Sequence, residues 1–126
     1  MSTVAVILGC LAGGAGAVLR YALDAVVTRH VGAGLPWGTL VVNVSGAFVL
    51  GAVTGVAPAL PVSAASVLGA GLLGGYTTFS TASVQTAELI TRGRRAAAVA
   101  SALGMLIAAV LAGGAGIALG RIAAGS

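Results

Sequence analysis

Lysine is absent from this chain, histidine and cysteine each occur once, and only two residues are acidic. His30, Cys10, Asp24 and Glu88 are scattered along the sequence. Acid–base and nucleophilic catalysis need such groups placed together, so an enzyme is not expected. The single cysteine excludes an internal disulfide; Cys10 lies in an apolar run and reads as a small core residue. Charged residues make up 6% of the chain, against about 25% in a soluble domain, which excludes a soluble fold. No basic residue precedes Arg20, so the apolar start lacks the charged leader of a signal peptide and should remain as a first span. No carboxylate occupies the middle of any apolar run. Proton-coupled transporters of this size use an ionisable relay there, which argues against a small multidrug or cation antiporter.

What is present is 59% hydrophobic, with mean hydropathy +1.14 and six arginines giving a net charge of +4. In a membrane protein that excess reports cytoplasmic loops rather than nucleic acid. Four apolar stretches fit spans at about 4–27, 35–56, 63–91 and 96–122, as a hydrocarbon core of ~30 Å takes ~20 helical residues. The expected fold is an all-α membrane protein, a single four-helix transmembrane domain over 1–126. Trp37 stands where an interfacial anchor belongs, and Pro58 and Pro61 mark a tight turn at 57–62. The third stretch is too long for a simple crossing. An interruption near Gly74–Ser80 would absorb the excess, and tilt is the alternative.

Glycines recur four residues apart: Gly9 and Gly13, Gly51 and Gly55, Gly71 and Gly75, Gly116 and Gly120. Such pairs let backbones approach closely, because packing drives helix association in lipid. Four spans do not easily enclose an aqueous path, so a dimer or larger assembly is expected. The similar runs GGAGAVLR at 13–20 and GGAGIALGR at 113–121 read as compositional coincidence.

The segment 71–83, GLLGGYTTFSTAS, weakens a helix from within. Gly costs about 1 kcal/mol against Ala, and hydroxyls compete for backbone groups. In lipid such a segment persists only where protein, water or an ion takes up the freed backbone, which points to an ion site or a pore. Thr39 and Asn43 share one face of the second span, where Asn43 serves either as glue between helices or as a contact for a substrate. Arg20 and Asp24 form either a mutual pair or, through Arg20, a positive pore mouth. Glu88 and Arg92 have the favourable acid-before-base spacing of a structural pair, and Gln85 lies deep enough to need a partner. The central groups are donors and one ring edge, an inventory that suits a small anion.

Three segments, GGAGAVLRYAL at 13–23, WGTLVVNVSGAFVLG at 37–51 and GLLGGYTTFSTAS at 71–83, resemble the Fluc/CrcB fluoride channels. The resemblance implies a four-helix subunit, its third helix broken, paired with an inverted partner in an antiparallel dimer with two pores. It implies passive fluoride export from the cytoplasm across the bacterial inner membrane, and a structural sodium ion at the dimer centre. The sodium ligands it implies are the backbone carbonyls of Gly74 and Thr77. The fluoride pathway it implies includes Asn43, Thr39, Phe79, Ser83, Gln85 and Arg20. Two positions depart from the family pattern. Ala82 replaces a second phenylalanine, and a polar track on the fourth helix keeps only Ser101, with Met105 and Ala109 following. A non-conducting partner subunit in a heterodimer is therefore the alternative.

Arginines after the first and third spans (Arg29, Arg92, Arg94, Arg95) outnumber the one opposite, Arg121. Excess arginine stays cytoplasmic, so both termini are expected outside. That bias favours one orientation, and with it an oppositely oriented homologue as partner.

Overall fold

The structure is a computed structural model that describes residues 2–125. Helix α1 spans Thr3–Val31, α2 Trp37–Val56, α3 Val62–Ser66, α4 Gly74–Tyr76, α5 Ser80–Thr91 and α6 Arg95–Ala123. A 3₁₀ turn, Ala57–Ala59, follows α2, and a π-helical segment, Val67–Leu73, joins α3 to α4. Four helical stretches are long and apolar enough to cross a membrane: Thr3–Val31, Trp37–Ala59, Val62–Thr91 and Arg95–Ala123. The protein is thus a multi-pass, all-helical membrane protein with a broken third span.

The ends follow local chemistry. Ser2 caps α1, its Oγ accepting from the Ala5 amide at 3.2 Å. Gly93 closes α5 with φ near +77°, a left-handed conformation that favours glycine. Around it, Arg94 donates to the Leu89 carbonyl at 2.8 Å and Gly93 to that of Ile90 at 3.0 Å. Helix α1 continues to Val31, past the expected end at 27, so Arg29 and His30 sit in its last turn rather than in a loop. Basic side chains complement the negative end of the helix dipole there.

The packing is that of a protein in lipid: large apolar side chains point outward and small residues pack inside. Leu11 and Leu111 are each more than 60% exposed, while glycines line the crossings. Gly51, Gly55, Gly116 and Gly120 bring α2 and α6 together; a Cβ on Gly116 would overlap the Phe48 carbonyl. Gly16, Gly71 and Gly75 do the same between α1 and the third span, with a Cβ on Gly71 falling 2.8 Å from the Gly9 carbonyl oxygen. All four expected glycine pairs therefore lie at these two crossings. The matching GGAG runs do parallel work, one against the third span and one against α2.

Two expectations need correction. Cys10 is exposed on the outer face of α1, not in a core, because α1 turns its glycine side inward. The interruption expected near Gly74–Ser80 is narrower. Gly74–Tyr76 remains a helical turn, and the chain leaves helical geometry at Thr77, which is extended with φ −80° and ψ 157°. Gly75 serves close packing, since a Cβ there would strike the Gly13 carbonyl. The excess length is shared between this break and the π-helical segment, whose wider turns shorten the span.

Candidate functional site: a clamped helix break

The break is held open by side chains from α2. Asn43 grips Thr78 like a second peptide group: the Thr78 amide donates to Asn43 Oδ1 at 2.8 Å, and Asn43 Nδ2 donates to the Thr78 carbonyl at 2.7 Å. Thr78 in turn caps the start of α5, its Oγ1 accepting from the Thr81 amide at 3.1 Å. In an unbroken helix those two amides would donate to the carbonyls of Gly74 and Thr77. Diverting them strips both carbonyls of their helical donors. Gly74 is exposed and Thr77 half-buried.

Other groups lock the flanks. Thr77 Oγ1 donates back to the Leu73 carbonyl at 3.0 Å, and the Tyr76 hydroxyl meets Ser45 Oγ at 2.9 Å. Gly46 leaves room for the Tyr76 ring and the Thr77 methyl, where a Cβ would collide. Arg20 reaches the break from α1, its Nε donating to the Gly75 carbonyl at 3.4 Å. Among the described residues Arg20 and Asp24 form no ion pair. Asp24 instead accepts from Thr28 Oγ1 at 3.4 Å and packs against Gly38, which has no room for a side chain. The paired reading of Arg20 and Asp24 is not what the structure forms, although both line a small cavity with Thr39, Thr78 and Thr81.

Thr39, only 2% exposed, donates to Gln85 Oε1 at 2.6 Å and joins α2 to α5. Beyond them opens a cavity of about 320 Å³ at the arginine-rich end, lined by Asp24, Thr28, Gln85, Glu88 and Arg92. Asp24 borders both this vestibule and the small cavity beside the break. Glu88 and Arg92 both line the vestibule rather than pairing with each other.

Thr39, Asn43, Gln85 and Arg20 are thus gathered around one polar seam. Phe79 and Ser83 are not. Phe79 is 87% exposed on the outer face, and Ser83, one turn on, is exposed with its Oγ bonded to the Phe79 carbonyl at 2.9 Å. Four residues escaped the sequence reading in these roles: Thr78 as the clamped residue, Tyr76 with Ser45, and Met105 beside Asn43. Thr78 had a signal, a hydroxyl residue where a helix start takes its cap; the other three depend on the fold.

A family model described as CrcB-like protein, Camphor Resistance (CrcB), matches residues 7–120. The chain belongs to the CrcB family. Among curated relatives, "Fluoride-specific ion channel FluC 1" of Leifsonia xyli subsp. xyli is 42% identical over 125 residues, 98% of this chain and 91% of that protein. A protein of the same name from Rubrobacter xylanophilus is 44% identical over 128 residues, 99% of this chain and 100% of its own length. "Fluoride-specific ion channel FluC 2" of Cutibacterium acnes is 46% identical, covering 88% of this chain and 93% of the relative. The first two of these matches extend over nearly the whole of this CrcB chain, all four spans included.

Proposed function

We propose that the chain is a subunit of a fluoride-selective channel that lets fluoride leave the cytoplasm passively, and that it works as a channel rather than an enzyme. The observation that carries this reading is the division of the pathway residues. Donors gather inside the subunit around the break, while Phe79 and Ser83 project from its outer face. A large aromatic 87% exposed beside an opened backbone fits a neighbour's surface better than lipid. A second subunit, inverted, would place its Phe79 against this subunit's seam and complete the path.

Fluoride is small and strongly hydrated, so a pore must replace its water with donors. The positive charge of Arg20 would draw an anion toward the Gln85 amide and the positive edge of Phe79, and the hydroxyls of Thr39 and Ser83 would turn from Gln85 Oε1 and the Phe79 carbonyl to the ion as it passes. The Gly74 and Thr77 carbonyls, stripped of helical donors, fit a hard monovalent cation. They would hold a structural sodium ion at the junction of two subunits. Bound there, sodium supplies a fixed positive charge that ties the two breaks together.

The arginine distribution favours a second reading of the partner. Arg29, Arg92, Arg94 and Arg95 cluster at one end, with Arg94 tied to the Gly34 carbonyl at 2.6 Å. A bias this strong gives one orientation, so the inverted partner is a homologue rather than a second copy. Reconstitution separates the two. A heterodimer predicts weak fluoride efflux from liposomes holding this chain alone and robust efflux once an inverted homologue is co-expressed; robust efflux from the chain alone leaves a homodimer.

A further inference from the structure

A third cavity, about 360 Å³, opens between α2 and α6, and Met105 is among the residues that line it. Its walls are mostly apolar, with Leu40, Ala97, Ala100, Gly104 and Ala108 among them, and Arg94 and Ser101 line it too. Behind Met105 lies Asn43. One Nδ2 hydrogen of Asn43 goes to the Thr78 carbonyl, and the same nitrogen lies 3.3 Å from Met105 Sδ. With Oδ1 also engaged by Thr78, the thioether occupies the one remaining donor of the amide.

We propose that Met105 is a removable plug that sets how fast fluoride passes this subunit. The proposal rests on the channel reading above. A thioether is a weak acceptor and an anion a strong one, so the N–H held by Met105 is a donor kept in reserve. The methionine side chain is unbranched with three rotatable bonds and can swing aside. Met105 lines the cavity and Asn43 does not, so the thioether stands between the amide and the cavity. An anion drawn in past Arg94 and Ser101 therefore meets sulfur before it meets the amide. Displacing the sulfur gives the anion its donor; leaving it in place closes the route.

The test compares fluoride efflux from liposomes holding the assembly purified through this chain, with Met105 intact or replaced. Met105→Ser removes the plug, and efflux should rise roughly fivefold or more. Met105→Leu keeps the bulk without the acceptor, and efflux should be no faster than with methionine. Efflux from Met105→Ser where the unaltered assembly conducts little supports the plug equally. If the unaltered assembly conducts and Met105→Ser is no faster, the plug is overturned while the channel reading stands. Should Met105→Leu speed efflux as much as serine, blockage by bulk is overturned. No efflux from any form overturns the channel reading and the plug with it. Met105→Ala is the second opening variant. Failure of both opening variants to assemble would make Met105 a packing residue and overturn the plug.

Discussion

Asn43 carries more of the structure than its position on a helix suggests. Its spacing from Thr39 places it on an inward face, and that much is legible in the sequence. That both ends of its amide close on one backbone residue 35 positions away depends on the fold. Replacing it with leucine leaves the Thr78 amide and carbonyl without partners, at about 1–3 kcal/mol each. Asn43→Leu should therefore lower the unfolding temperature in detergent and the yield of assembled protein as well as the flux. Normal assembly with lost flux would show that the clamp is dispensable. Phe79 behaves oppositely. Its ring touches little of its own subunit, so Phe79→Ile should leave subunit folding unchanged and reduce fluoride efflux. Normal efflux from that variant would remove the ring edge from the pathway.

The third span shows where sequence reasoning succeeds and stops. Its length and its run of hydroxyls forecast a break. The double glycine drew attention to Gly74 and Gly75, yet those residues remain helical, because Gly75 is needed for contact with Gly13. Thr77 and Thr78 break instead, since α2 offers Asn43 as a competing partner for the backbone. The π-helical segment Val67–Leu73 left no periodic trace in so uniformly apolar a stretch. Glycine at a crossing and glycine on an open face should respond differently to a methyl group. Gly75→Ala and Gly116→Ala each force backbones apart and should cost about 1–3 kcal/mol. Gly114→Ala meets nothing within 4 Å and should be neutral or stabilise by up to about 1 kcal/mol. Thermal unfolding of the three variants in detergent checks the order, and equal midpoints would refute the assignment of the crossings.

At the scale of the whole molecule, four apolar spans and the arginine-rich end were readable from composition alone. The split between an inward seam and an outward Phe79 was not, because it depends on how α2 and α5 rotate against each other. The start of α1 at Thr3 and the end of α6 at Ala123 lie opposite the arginine cluster, so a tag at the C-terminus should report the outer face in most molecules. An even split of tags would instead indicate dual insertion and a partner identical to this chain. The most direct test of the channel itself is simultaneous efflux of fluoride and chloride from liposomes holding the assembly purified through this chain from its own membranes. Fluoride should leave down its gradient, without added energy, while chloride stays behind; equal loss of the two ions, or no loss of fluoride, would contradict the account.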